Sequence, residues 1–101
     1  MGKKHKFDFE KLVSKGYLEK GEKLYFVSDP SFVATLQKSP TGEYKLLFEN
    51  NYYTPHALAT TWLGMEPNNT ALNWIRTSYD STLFEIWEDY CNNVAPYRAA
   101  A

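Results

Sequence analysis

The sequence contains very little cysteine, and this scarcity limits its chemistry. Cys91 is the single cysteine among 101 residues, so the chain cannot form an internal disulfide. One thiol and two histidines are also too few for a zinc site, which needs about four ligands. We expect Cys91 to be a buried, unreactive thiol on the last helix, in a chain that requires no oxidising compartment.

Long apolar runs, glycine-rich loops and catalytic constellations are missing as well. No stretch approaches the roughly 20 apolar residues of a membrane span, and the glycines are scattered singly rather than grouped to cradle a phosphate. The adjacent carboxylates Glu88 and Asp89 project about 100° apart on a helix, which does not suit an acid–base pair. The residues therefore predict a binding module rather than an enzyme, without metal, small-molecule cofactor or membrane contact.

A strong charge of either sign is absent too, because the formal net charge is −1. The charge is uneven: residues 1–50 carry nine lysines and seven carboxylates, and residues 51–101 carry two arginines and five carboxylates. A strong non-specific nucleic-acid binder neutralises many phosphates, so any such contact here needs a local patch. The candidate patch lies on or just after the first helix and consists of Lys11, Lys15, Lys20 and Lys23.

Capping residues and apolar stripes predict three helices. Asp8 caps the first helix and Thr54 the second, while Thr82 and Glu85 have the spacing of a capping box at the start of the third. The expected core residues of the second and third helices recur every three or four positions: Leu58, Ala59, Trp62, Leu63, Leu83, Ile86, Trp87 and Tyr90. Most of the aromatic surface is therefore expected to pack inward.

Alternating or apolar segments predict five strands, at residues 23–27, 32–37, 44–48, 52–53 and 72–79. Turns are expected at residues 28–30 and 50–51. The order of elements predicts an α+β domain, in which a small antiparallel sheet (a meander plus one further strand) carries three helices mainly on one side. We place a single domain at residues 8–93, between a flexible basic tail at 1–7 and a C-terminal tail at 94–101.

Several segments, taken in order, resemble the RAMA domain (restriction enzyme and adenine methylase associated). They are GYLEKGEKLYF, FVATL, TGEYKL, YYTPHALA and NWIRTSYDSTLFEIW. In that family a helix ends in G-(Y/L)-L-x-x-G, a strand with A-x-L and a hairpin follow, and a (Y/F)-x-(S/T) segment opens the second helix. The corresponding positions here are Gly16–Leu18 with Gly21, Ala34–Leu36, Tyr53–Ala59, Trp74 and Leu83–Trp87, so the similarity covers roughly residues 8–90.

The resemblance implies an accessory reader of DNA, proposed for that family to recognise modified bases such as N6-methyladenine. The implied partners are duplex DNA, methylated or not, or subunits of a chromatin or DNA-methylation complex. The implied location is the nucleus or another DNA-associated compartment. A second hypothesis rests on the net charge, the acidic C-terminal half and the surplus aromatics. It is a protein-interaction module of a nuclear complex that does not bind DNA directly, and an exposed aromatic patch would favour it.

The start of the second helix offers one group of candidate contacts. Thr54, His56 and the free N–H groups of this turn can meet a phosphate, although a neutral, exposed His56 is the simpler interpretation because the helix dipole disfavours an imidazolium there. Tyr52 and Tyr53 point to opposite faces, since strand neighbours alternate. One of the two should join the core and the other should be free for a partner.

A second group follows that helix. Asn68 and Asn69 suit a turn, but asparagine also pairs with adenine, and their loop leads to Asn73. In the family a glycine usually precedes the strand tryptophan, and Asn73 stands at that position here, so it either narrows the site or contributes its amide. Trp74 and Arg76 are expected on one strand face, where Trp74 belongs to the core or offers a surface for a base or a peptide, and Arg76 adds a modest contact.

Overall fold

The computed structural model of the chain describes residues 7–67 and 70–96. Within that part, the elements are α1 (Phe9–Ser14), β1 (Lys23–Phe26), β2 (Asp29–Lys38), β3 (Tyr44–Phe48), β4 (Asn51–Tyr53), α2 (Pro55–Leu63), a 3-10 helix (Ala71–Trp74), β5 (Ile75–Thr77) and α3 (Leu83–Cys91). Three helices and one antiparallel sheet form the predicted α+β fold.

The sheet has the strand order β4-β3-β2-β1-β5, and every neighbouring pair is antiparallel. The first four strands form a meander, in which each strand pairs with the next one along the chain. Strand β5 joins the free edge of β1, where Thr77 lies opposite Leu24 and Ile75 opposite Phe26. The prediction of a meander plus one further strand is confirmed.

All three helices contribute to one core on one side of this sheet. Successive side chains of a strand point to opposite sides of the sheet. On one side they are buried: Leu24, Phe26, Ala34, Leu36, Leu46 and Ile75. These residues form a single cluster with the apolar residues of the helices: Phe9, Leu12, Leu58, Trp62, Leu83, Ile86 and Trp87. We call this side of the sheet the covered face. Trp62 and Trp87 are only 8% and 7% exposed, which confirms their predicted place in the core.

The predicted helix starts are also confirmed. Asp8 Oδ1 and Thr54 Oγ1 each accept a hydrogen bond from a backbone N–H in the first turn of their helix, at 2.9 and 3.2 Å. The capping box of α3 is complete, because Thr82 Oγ1 accepts from the Glu85 N–H at 3.1 Å and Glu85 Oε1 accepts from the Thr82 N–H at 2.9 Å. These bonds satisfy N–H groups that have no partner within a helix.

The predicted strand over residues 72–79 is wrong at both ends, and residues 78–79 form a turn. Residues Ala71–Trp74 form a 3-10 helix, and only Ile75–Thr77 pair with β1. Thr70 starts the 3-10 helix: its side-chain oxygen accepts from the Leu72 N–H at 3.4 Å, and its carbonyl accepts from the Asn73 N–H at 3.1 Å. Trp74 and Arg76 therefore do not share a strand face.

Both predicted turns are shifted. Strand β2 begins at Asp29 and includes Pro30, so the turn before it lies at residues 27–28. The β3–β4 turn is Glu49–Asn50 rather than residues 50–51, with φ of 50° and 67°. A two-residue hairpin turn of type I′ needs positive φ at both positions, and Asn51 already pairs with Phe48 in the ladder.

Cys91 lies exposed at the end of α3, so its predicted burial is wrong. The apolar face of α3 includes Trp87 and Tyr90, whose rings stack 4.9 Å apart. Cys91 follows Tyr90 directly and is therefore turned about 100° away from that face. Packing also reaches Phe7, whose ring centroid is 5.1 Å from that of Trp87.

Candidate nucleic-acid interface

The other side of the sheet carries no helix within the described residues, and we call it the open face. The regular ladder pairing assigns it nine residues: Lys23, Tyr25, Val33, Thr35, Gln37, Lys45, Leu47, Tyr52 and Arg76. Asp29 and Ser31 at the start of β2 lie beyond the register shift between Tyr25 and Phe26 and are not counted with them. None of its apolar members belongs to the core cluster or packs against it. Lys23 and Tyr52 are exposed and the others are half-buried, because side chains on neighbouring strands shield one another. The face is thus available for a partner.

The register arranges the open face in rows that cross the strands. The first row runs from β5 to β2 through Arg76, Tyr25 and Val33. The second row runs from β1 to β4 through Lys23, Thr35, Leu47 and Tyr52, and the third pairs Gln37 with Lys45. Each tyrosine therefore lies one row away from a lysine.

Arg76 is held over the ring of Tyr25. The guanidinium carbon lies 5.0 Å from the ring centroid, within the range of a cation–π contact. Arg76 Nη1 also donates to the Thr77 carbonyl at 2.9 Å, and Nε lies 3.7 Å from the Asp80 carboxylate. These contacts fix a planar cation beside an aromatic ring, an arrangement on which nucleic-acid bases stack in other proteins.

The open face includes three cations and no carboxylate. Carboxylates instead stand at strand ends and turns around it: Asp29, Glu43, Glu49 and Asp80. The Lys45 Nζ–Glu43 Oε1 distance and the Arg76 Nε–Asp80 Oδ1 distance are both 3.7 Å, and both carboxylates are exposed. Such surface pairs are worth about 1 kcal/mol or less, so a polyanion can displace them. The hydrogen bonds from Ser31 lower the pKa of the Asp29 carboxyl.

Of the residues predicted to bind a partner, the structure brings three together on the open face: Lys23, Tyr52 and Arg76. The predicted lysine patch is divided, since Lys11 and Lys15 lie at α1, which packs on the covered side. Lys20 is exposed in the turn before β1. The lysines therefore do not form one stripe with Lys23.

The start of α2 is less favourable to a phosphate than the sequence suggests. The Thr54 hydroxyl already accepts the capping hydrogen bond, and His56 Nε2 lies 3.3 Å from Glu66 Oε1. Thr54 also borders a cleft of about 460 Å³ whose lining includes three carboxylates, Asp8, Glu10 and Glu43, and one cation, Lys45. These carboxylates would repel an anion. The phosphate contact at Thr54 and His56 stays a prediction.

The remaining predicted residues lie on the covered side or near it. The Tyr53 ring is 6.5 Å from the Phe48 ring and packs against the core, whereas Tyr52 is 41% exposed, as alternation predicts. Trp74 is half-buried, with its ring 6.4 Å from the Phe26 ring. Asn73 is half-buried in the 3-10 helix. The other two predicted contacts, Asn68 and Asn69, lie outside the described residues.

The sequence prediction missed Tyr25, Lys45 and the apolar pair Val33 and Leu47. Their common signal is the alternation within each strand, which separates them from the buried residues beside them. The sequence does not indicate which of the two alternating sets of strand side chains the helices cover. Because α1, α2 and α3 lie on one side of the sheet, the side chains that point to the other side form the open face.

Searches of protein-family models, of curated proteins and of solved structures found no match to this chain. Among the residues that the structure describes, no three histidine, cysteine or acidic side chains are grouped so that they could hold a metal ion. No described helix has both the length and the apolar character needed to cross a membrane.

Proposed function

We propose that this chain is a non-catalytic module that binds DNA through the open face. The observation that supports this most directly is the composition of that face, where Lys23, Lys45 and Arg76 stand among Tyr25 and Tyr52. Two of these cations, Lys45 and Arg76, lie 3.7 Å from the exposed carboxylates of Glu43 and Asp80, which a polyanion can displace. Cations neutralise phosphates and release counterions, while aromatic rings provide stacking surfaces for bases. The combination suits a nucleic acid better than it suits a small molecule, which needs a concave pocket.

The number of cations limits the expected strength of binding. With three phosphate contacts, the logarithm of the affinity should fall with the logarithm of the salt concentration with a slope of no more than about −2.7. Binding should therefore be modest, which suits an accessory module that acts beside other DNA-binding parts.

The resemblance to the RAMA domain supports a narrower version of the proposal. In this version the chain reads duplex DNA that carries a modified base such as N6-methyladenine, within a chromatin or DNA-methylation complex in the nucleus. That resemblance rests on segments between Gly16 and Trp87 that follow one another in the same order as in the family.

A chemical-shift titration with methylated and unmethylated duplexes tests the proposal. We expect the largest shifts on the open face, and we expect them to shrink as salt is raised. Lys23→Glu should weaken binding, whereas the matched charge reversal Lys11→Glu on α1 should change it little. The absence of shifts with both duplexes would contradict the narrower, duplex-reading version, and the absence of shifts with the separated single strand as well would contradict DNA binding by this chain.

A second candidate function is favoured by the apolar centre of the same face. Val33, Leu47 and Tyr52 lie on three adjacent strands, and no helix in the described part of the chain covers them. A protein partner that buried this centre would bind with little dependence on salt. Salt-insensitive association of the chain with a protein, without DNA-induced shifts, would favour this function.

A further inference from the structure

We infer that the open face binds nucleic acid as a single strand, whose bases stack on the Tyr25–Arg76 pair and on Tyr52. This inference rests on the proposed function and specifies the form of the nucleic acid. It depends on the width of the sheet, on the positions of the rings and on the positions of the lysines.

The width of the sheet argues against reading the bases of a regular duplex. Five strands at about 4.8 Å spacing give a sheet about 19 Å across, whereas the major groove of B-DNA is about 12 Å wide. Tyr25 lies on β1 in the interior of the sheet, so a duplex lying on the face would present phosphates to it rather than base edges. The bases of a single strand are free to turn toward the sheet.

The rings are spaced to hold a short strand. Tyr52 lies three strands from Tyr25 and one row along, which corresponds to roughly 16 Å. Single-strand-binding folds occupy about 4–16 nucleotides, and the open face can accommodate a segment at the short end of that range. Between the rings, Thr35 offers a hydrogen-bonding group, and Val33 and Leu47 offer apolar contacts.

The lysines are placed for the backbone of such a strand. Lys23 lies two residues from Tyr25 on β1, and Lys45 lies one row from Tyr52 on the neighbouring strand. Each stacking position therefore has an ammonium close enough to meet the adjoining phosphate. Arg76 serves both purposes, since its guanidinium is charged and planar.

Fluorescence anisotropy with labelled ten-nucleotide probes tests the inference. The probes are a single DNA strand, the same strand annealed to its complement, and the RNA strand of the same sequence, at one salt concentration. We expect a single strand to bind at least about tenfold more tightly than the duplex, and the DNA and RNA arms identify the preferred sugar. A duplex that binds equally or better overturns the inference but leaves the DNA-binding proposal intact. If no probe binds, both fail.

Substitutions on the open face separate stacking from charge. Tyr25→Leu and Tyr52→Leu keep apolar area but remove a flat ring, so each should lower single-strand affinity by about fivefold or more. Tyr25→Phe should retain the affinity. Phe84→Leu, which removes an exposed ring from α3, is the matched control and should have no effect. Equal affinity for all four variants would contradict stacking, and thermal unfolding of each variant verifies that it is folded.

Other occupants of the open face would give a different result. A dimer that Tyr52→Leu dissociates, together with no binding to any strand, would identify the face as an interface between copies of this chain. A partner protein that binds the open face, while no nucleic-acid strand binds it, would identify the face as a protein-binding surface. Either result would overturn the inference.

Discussion

The covered face and the open face share the same backbone and differ in nearly everything else. Leu46 and Leu47 are neighbours in β3, yet Leu46 is 0% exposed within the core while Leu47 is half-buried on the face without helices. The covered face holds the fold together through apolar contact. The open face contributes less to stability and so can carry tyrosines and cations that suit a ligand.

This difference between the two faces follows from the two-residue repeat of side-chain direction along a strand. Because successive side chains point to opposite sides, one strand can supply a core residue and a recognition residue without compromise. In β1, Leu24 and Phe26 pack against the helices while Lys23 and Tyr25 face outward. Stability and recognition can therefore be changed separately.

The two adjacent leucines give the sharpest test of this comparison and the largest expected effect. Leu46→Ala should lower the free energy of unfolding by about 2–5 kcal/mol, since it leaves a cavity in a packed core. Leu47→Ala removes the same atoms from a partly exposed position and should cost about 1 kcal/mol or less. Urea denaturation of both variants measures the difference. Equal losses would mean that the open face is covered as thoroughly as the other.

The contribution of the helices to the free energy of unfolding should depend on their N-terminal capping residues. Thr82→Ala removes one half of the capping box of α3 and should lower the free energy of unfolding by about 0.5–2 kcal/mol. Thr61→Ala, at an exposed position within α2, is the matched control and should cost less. Urea denaturation measures both losses. An equal loss in the two variants would contradict the role of the cap.

Replacing Trp62 on the covered face by phenylalanine should change the free energy of unfolding less than Leu46→Ala does. Its indole Nε1 is buried and has no hydrogen-bond partner among the described residues. An unsatisfied buried donor costs about 1–3 kcal/mol, so Trp62→Phe removes an unfavourable group while it retains a ring in contact with Phe26 and Phe48. The loss of the unsatisfied donor and the loss of ring area act in opposite directions, so we expect the free energy of unfolding, measured by urea denaturation, to change by about 1 kcal/mol or less.

Tyr17 gives the smallest effect and a pH dependence. Burial first, then the negative charges of Asp89 and Tyr90, raise the pKa of the Tyr17 phenol, whose hydroxyl donates to the Val94 carbonyl. The folded state therefore favours the neutral phenol. This contribution is complete below the ordinary pKa of about 10 and is lost as pH rises through the raised value. The free energy of unfolding should fall less steeply above pH 10 in Tyr17→Phe than in the original chain, and parallel curves would contradict this.

Local sequence signals predicted the covered side well. The caps at Asp8, Thr54 and Thr82 depend on one side chain and the next few N–H groups, so the sequence contains the whole interaction. Trp62 and Trp87 follow from helical spacing in the same way.

Signals that depend on competing backbone bonds or on tertiary placement were predicted poorly. Alternation from Leu72 onward resembles a strand, but the hydrogen bonds to Thr70 close a 3-10 helix first. Of the residues on the open face, only Lys23, Tyr52 and Arg76 were predicted to bind a partner. Alternation separates the two faces of the sheet, but it does not indicate which one the helices cover. Asn68 and Asn69 lie outside the described residues, so their proposed contact with adenine stays a prediction.

The attachment of β5 to β1 has a consequence for truncated forms of the chain. The two strands are about fifty residues apart in sequence, so a fragment that ends before residue 70 lacks β5 and the core residues of α3 and leaves the edge of β1 without its neighbour. A row of unsatisfied N–H and C=O groups attracts strands from other molecules. Such a fragment should self-associate into aggregates, whereas the intact chain protects this edge with three residues.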